Sequence, residues 1–493
     1  EKIAFMEPEI IAVDEETMNQ FYTEKPELNK YKIFITEVRR GKEHSLSPEL
    51  EKLLAGANEL ADLPYEGFAT LGNADLKFPE ITNEKGEKIQ ITNGRFVPLE
   101  ESKDRRVRKE VFEKYYETFG SFKNTWATLY AGQVKQLMFY ARARKYSSTL
   151  EAAVDGNNVS PEVYKNLVEA VNDNLDKMHR YVRLRKKLLE LDELHMYDVY
   201  VPIVKDYDAK YTIEEAKELV LKAVEPLGTN YVNLIKKAFA ERWIDVVENE
   251  GKRNGAYSSG VYGVHPFVLL NFNGTLDNVF TLAHEMGHAM HSYFSNEAQN
   301  YLDSRYKIFV AEVASTTNEV LLMEYMLKNA KDNKERAYLL NHYMDSFKGT
   351  VFRQTMFAEF EKTSNEMAEA GEPLTHENLI ELYLNLNKKY YGEAMISDDL
   401  IGYEWMRIPH FYYNFYVYQY ATGFSAAVAI ANRVLKEGET AVNDYMKFLQ
   451  SGCTKDPVSL LRIAGVDMAT KEPINSALQV FERVIGEMEG LIK

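Results

Sequence analysis

The sequence predicts a mainly helical protein, and three observations carry that expectation. Apolar residues recur at helical spacing along most of the chain, helix-start signals are frequent, and strand signals are few. At 493 residues with 45% hydrophobic content, the chain can bury a large core, and its length allows two or three domains.

The elements follow in order. Ser47-Pro48-Glu49 reads as an N-cap with proline in the first helical position, and Ser160-Pro161-Glu162 repeats the pattern. Ile81-Thr82-Asn83 and Lys88-Ile89-Gln90-Ile91-Thr92, joined by turn residues from Asn83 to Gly86, predict one small hairpin. Residues 98–104 are the expected junction between an N-terminal helical part, 1–100, and the main body, 101–493. From 161 to about 194 the pattern predicts one long amphipathic helix whose lysines and arginines form a solvated face. Thr212 with Glu215 makes a capping box. Pro266-Phe267-Val268-Leu269-Leu270-Asn271-Phe272 is a short β-prone run just before a strongly helical stretch.

Composition excludes several classes of function. A net charge of −16 and a pI near 5.3 argue against nucleic acid or an anionic membrane as partner and favour a solvated, cytoplasmic surface. The single cysteine, Cys453, cannot form an intramolecular disulfide and reads as a small buried apolar residue. No apolar run approaches the roughly 20 residues of a membrane span; the run at 425–431 is too short. Nothing near Glu1 resembles a signal peptide.

His284-Glu285-Met286-Gly287-His288 carries the chemistry. At about 100° per residue, two histidines four apart lie roughly 40° apart on the helical wheel, so both rings reach one zinc ion from the same side. Glu285 falls on the flank of that face, placed to hold a water rather than the metal. A chance match is expected in roughly 2 of 100 chains of this length, and it would be a surface helix with solvated histidines. The flanks Thr281-Leu282-Ala283 and Ala289-Met290 are apolar instead, so the rings lie in a core-lining helix where an unpaired polar group is costly. Glycine inside a helix costs about 1 kcal/mol against alanine, so Gly287 implies a close approach to the backbone there.

A catalytic zinc takes three protein ligands and leaves one position open. Glu312, a carboxylate in the otherwise apolar stretch Phe309-Val310-Ala311-Glu312-Val313-Ala314, is the candidate third ligand. Glu319, seven residues on, and Asp277, seven residues before His284, are candidate outer carboxylates that fix an imidazole's tautomer. The alternative for Asp277 is a first-turn acid favoured by the helix dipole. His291 shares the histidine face, but three histidines on one straight helix do not easily close a tetrahedron, so it reads as a packing or outer residue.

Two further segments bear on substrate. Glycines at 255, 260, 263 and 274 flank the β-prone run, which suits a sheet edge that grips a peptide by main-chain hydrogen bonds; an ordinary buried strand is the alternative. Gly263 and His265 are the candidate substrate-binding residues. Between Tyr412 and Tyr420 lie five tyrosines in nine residues. As a helix, His410, Tyr413, Tyr416 and Tyr420 share a stripe. A buried core would use phenylalanine more cheaply, whereas tyrosine O–H and histidine N–H suit an oxyanion.

Together these segments resemble the thimet oligopeptidase type of zinc metallopeptidase, and within it the oligoendopeptidase F branch. The resemblance lies in Gly251-Lys252-Arg253-Asn254-Gly255-Ala256-Tyr257, His265-Pro266, Gly274-Thr275-Leu276-Asp277, the stretch from His284 to Ser292, Glu312-Val313-Ala314-Ser315, and the segment from Ile408 to Gly423. It covers essentially the whole chain. It implies an elongated helical body with a deep channel, small β elements beside the motif helix, and one zinc per chain held by His284, His288 and Glu312. Glu285 would be the general base, with transition-state roles for His410, Tyr416 and Tyr420, and short oligopeptides as substrates. The opening Glu1-Lys2-Ile3 resembles an internal point of the family pattern, as if an N-terminal helical segment were lacking. A metallocarboxypeptidase of similar fold and a non-catalytic peptide-binding scaffold are the alternatives.

Overall fold

A computed structural model describes residues 5–204 and 209–492. Helices account for most of it, and the start signals act as their chemistry dictates. The Thr212 hydroxyl accepts from the Glu215 N–H while the Glu215 carboxylate accepts from the Thr212 N–H, closing the capping box of the helix Ile213–Ala223. Ser160 caps the helix Pro161–Asn172 through the Glu162 N–H. Ser47 precedes the helix Pro48–Ala61 but makes no side-chain cap bond.

The predicted long helix after Pro161 is two helices, Pro161–Asn172 and Leu175–Leu188. The break falls at Asp173 and Asn174, where the Asn174 amide donates back to the Ala170 carbonyl at 2.8 Å and so competes with the helical ladder. Between Leu188 and the two-residue strand at Leu194–His195 the chain is not helical.

Among the described residues, sheet structure is confined to three small pieces. Strands β1 (Glu80–Thr82) and β2 (Lys88–Gln90) form the expected hairpin, with Ile81 opposite Ile89. Strand β3 (Leu194–His195) pairs in parallel with β7 (Met395–Ile396). The third piece combines β4 (Ile244–Asp245), β5 (Tyr257–Ser259) and β6 (Phe267–Leu269), with β6 in the centre, parallel to β4 and antiparallel to β5. The β-prone run before the motif helix is therefore the central strand, and β5 is left as an edge.

Ile81, Ile91 and Phe96 belong to the same buried cluster as Val107, Tyr115 and Tyr116, so the segments before and after residue 100 share one core. Among the described residues no helix is long and apolar enough to cross a membrane. Cys453 is only half-buried, its thiol 3.9 Å from the Leu302 carbonyl, so it is not a core residue.

Three helices position the site: the motif helix Leu276–Ala298, the second ligand helix Ala311–Lys328, and the tyrosine helix Tyr418–Glu437. The motif helix starts at a Thr275 capping box and buries Leu282, Ala283, Met286, Ala289 and Met290. It meets the second ligand helix at Gly287, where a Cβ would stand 2.4 Å from the Ser315 Cα and 2.5 Å from the Ala314 oxygen. The fully buried Asn318 ties the pair together: its amide donates to the Ala283 carbonyl at 3.1 Å, and its oxygen accepts from the Tyr231 hydroxyl. The tyrosine helix packs against the second ligand helix, with Gly423 lying against Glu312.

His291 is a packing residue. Its buried ring stacks on Tyr306 at 3.7 Å with planes 2° apart, and its Nδ1 has no hydrogen-bond partner. Burial first, and the charge of His288 second, hold the ring's pKa down at about 3 against an ordinary 6.5.

Two outcomes follow from this packing. Gly287→Ala forces the two ligand helices apart and lowers the unfolding free energy by about 1–3 kcal/mol in denaturant titration; a variant as stable as the parent would show that the crossing tolerates a methyl group. For His291, the unfolded chain takes up the ring proton before the folded one does. Its contribution is therefore intact above about pH 6.5 and is lost at up to about 1.4 kcal/mol per pH unit as the pH falls towards 3. Between pH 7 and pH 5, His291→Phe should lose about 2 kcal/mol less stability than the parent; equal losses would refute a buried neutral ring.

Candidate active site

The motif helix presents His284 and His288 one turn apart, and the first turn of the second ligand helix presents Glu312 to both. The two Nε2 atoms are 3.1 Å apart, and Glu312 Oε2 lies 3.3 Å from His284 Nε2 and 3.4 Å from His288 Nε2. Four-coordinate zinc with bonds of about 2.0–2.1 Å sets neighbouring donors about 3.3–3.4 Å apart. The triangle of donors thus has the edge lengths of one face of a zinc tetrahedron. Among the described residues these three form a possible metal site.

Charge at the triangle favours a cation. Burial alone would depress the pKa of His284, but hydrogen bonds to Glu312 and Glu319 outweigh it and raise the ring's pKa to about 10. Burial also opposes ionisation of Glu312, yet its bonds to both histidines hold that carboxyl well below the ordinary range.

Glu319 contacts His284 Nδ1, leaving Nε2 for the triangle. Asp277, expected as a second such carboxylate, does not act as one. Its carboxylate is 80% exposed and 3.7 Å from His342 Nδ1. The reason is axial distance: seven residues along one helix is about 10 Å, beyond a side chain's reach to His284. Glu319 reaches the ring because it comes from the other helix, across the Gly287 contact. Asp277 instead sits in the first turn, where the dipole favours an acid.

Glu285 lies beside the triangle and does not join it. Burial pushes its carboxyl above the ordinary range, with the two histidines partly opposing, and its buried Oε2 has no hydrogen-bond partner. A carboxylate with raised basicity and a free oxygen next to a possible metal site has the properties of a general base.

These groups line a cavity of about 280 Å³ whose remaining wall is Ala256, Tyr257, Ser258, Ser292 and Tyr306. The edge strand β5 therefore borders the donors. Ser292 was legible in the sequence, since it stands one turn beyond His288 on the same face. Tyr306, whose hydroxyl lies 3.0 Å from Ser292 Oγ, sits in a loop with no periodic signal. Gly263 and His265 are not brought to this cavity. Gly263 takes φ +80° in the loop between β5 and β6, and His265 stacks on Trp243 at 4.8 Å.

The tyrosine segment is not the single helix its spacing suggests. A 3₁₀ turn, Pro409–Tyr412, is followed by Asn414 and Phe415 in the left-handed region, at φ 52° and 55°, and the α-helix begins only at Tyr418. Proline at 409 starts the first turn, and the two left-handed residues reverse the chain before the helix. The rings converge all the same. His410 lies 6.3 Å from Tyr416 and 5.9 Å from Tyr420, those two tyrosines are 5.3 Å apart, and the Tyr420 hydroxyl is 3.4 Å from His410 Nε2. Burial, then Tyr416, then the nearby Glu312 carboxylate raise the pKa of Tyr420 above its ordinary value, and burial lowers that of His410.

Known proteins resemble this chain in sequence and in fold. Residues 98–480 match the profile of Peptidase family M3, and residues 9–78 match that of Oligopeptidase F. The chain is 51% identical over 489 residues to oligopeptidase PepF of Bacillus subtilis, covering 99% of this chain and 73% of the relative. It is 44% identical to the group B oligopeptidase PepB of Streptococcus agalactiae, covering 100% of this chain and 82% of that one. The crystal structure of oligoendopeptidase-F from Enterococcus faecium superposes with a TM-score of 0.83 at 42% identity, covering 99% of this chain and 82% of that one. The chain belongs to peptidase family M3, as a metallopeptidase of its oligopeptidase F branch.

Proposed function

We propose that the chain binds one zinc ion at His284, His288 and Glu312 and hydrolyses internal bonds of short oligopeptides in the cytoplasm. The observation that carries this reading is the donor triangle, whose 3.1–3.4 Å edges fit zinc, with the unpartnered Glu285 carboxylate beside it. When bound, zinc supplies Lewis acidity that polarises the scissile carbonyl and acidifies water.

The side chains divide the remaining work. Glu285 takes a proton from water as its oxygen bonds to the carbonyl carbon, and returns that proton to the amine as the C–N bond breaks. His410 and Tyr416 donate hydrogen bonds to the oxyanion, and Tyr420 holds the His410 ring in place. The free edge of β5 offers main-chain groups to an extended peptide, which grips any sequence without selecting one.

Glu285→Gln should lower kcat/KM on an end-blocked peptide by about 10²–10⁴-fold with one zinc per chain retained. Undiminished hydrolysis at full zinc occupancy would remove Glu285 from the role of base. On the same peptide, product masses should show internal cleavage. Activity should vanish with 1,10-phenanthroline and return with added zinc; terminal trimming or insensitivity to chelation would point to a carboxypeptidase or a scaffold. Tyr416→Phe should lower kcat about 10²-fold with little change in KM, as removal of an oxyanion donor does.

A further inference from the structure

The loop that sets Tyr416 contains a conformation its own residues do not favour. Left-handed backbone is tolerated by asparagine, but for a bulky residue such as phenylalanine it is a true outlier, kept only where the surroundings impose it. Asn414 and Phe415 adopt it consecutively, immediately before Tyr416.

Three helices impose it. From the helix Arg353–Glu369, the buried Glu361 accepts the Phe415 N–H on Oε1 at 2.7 Å. From the helix Lys123–Ala143, the buried Gln133 amide donates to the Tyr412 carbonyl at 3.3 Å and to Asn414 Oδ1 at 3.1 Å. From the helix Pro161–Asn172, Tyr164 meets the buried Phe415 ring edge-on at 5.7 Å. Glu361 is 1% exposed and Gln133 3%. A buried acid and a buried amide are costly to keep unless their hydrogen bonds are needed, and here Glu361 Oε1 and the Gln133 amide both bond to this loop while Glu361 Oε2 has no partner.

We infer that Glu361 and Gln133 are positioning residues that clamp the two-residue left-handed turn and so aim Tyr416 towards the metal site. The clamp rests on the proposed role of Tyr416 in the transition state. Burial pushes the Glu361 carboxyl up to about 8, so near neutral pH it is mostly uncharged, and an amide reproduces its accepting oxygen.

The test uses the zinc-loaded full chain with Glu361→Leu, Glu361→Gln, Gln133→Leu and Tyr416→Phe, read as kcat and KM together with zinc content and thermal unfolding. Glu361→Leu should lower kcat at least about tenfold with KM within about threefold and zinc unchanged, while Glu361→Gln stays within about threefold of the parent. Should Glu361→Leu fail to fold, Gln133→Leu supplies the same comparison from the other side of the loop. Unchanged kcat in the folded leucine variants overturns the clamp, as does a loss in Glu361→Gln equal to that in Glu361→Leu. A fall in Tyr416→Phe without one in Glu361→Leu sinks the clamp alone. An unchanged kcat in Tyr416→Phe sinks the reading of Tyr416 itself, and the clamp with it.

Discussion

Gly287 and the helix crossing it permits are the constraint on which the site depends. Helices ordinarily pack with axes 8–10 Å apart. At Gly287 the second ligand helix comes so near that a methyl group would collide with its backbone. That approach lets Glu312, at the start of one helix, share a single point with two histidines on the other, and lets Glu319 reach the far nitrogen of His284. Asn318 reinforces it with a bond to the Ala283 carbonyl, one residue before the motif begins. The helix-propensity cost of glycine, about 1 kcal/mol, is small against what the crossing arranges.

The crossing also sorts three glutamates by environment. Glu312, bonded to both rings, stays ionised far below its ordinary range, whereas the buried Glu285 is pushed the other way and keeps an oxygen free. Two carboxylates within one cavity are thus driven apart in basicity, the pattern by which acid, base and ligand roles are separated. Glu319 lies behind His284 and orients the ring.

The tyrosine segment joins this centre from more than a hundred residues away. Its helix lies against the second ligand helix, so Gly423 touches Glu312 and Tyr420 feels that carboxylate. The loop before it gains its shape from buried groups on three other helices. The donor triangle and the tyrosine cluster therefore meet at Glu312, and each is only as well placed as the packing of the second ligand helix on the tyrosine helix.

Much of this was legible in the residues. Helical periodicity, the capping box at Thr212 and the scarcity of strand signals set the helical class, because those signals act within a few residues. The His284-Glu285-Met286-Gly287-His288 spacing set two imidazoles one turn apart with a carboxylate beside them, and glycine at 287 announced a close contact without naming the partner. What required tertiary structure was everything settled between elements. Asp277 and Glu319 hold equivalent places in sequence, seven residues from a candidate ligand, yet only Glu319 reaches the His284 ring, because reach is decided by the crossing of two helices and not by spacing along one. The His410 to Tyr420 stripe suggested a continuous helix, and the chain instead turns through two left-handed residues that Glu361 and Gln133 stabilise from elsewhere. Tyr306 and the edge of β5 entered the cavity wall by packing alone. Local signals set the helical class, but where a helix breaks and which side chains converge depend on contacts and distances between segments, which only the assembled core sets.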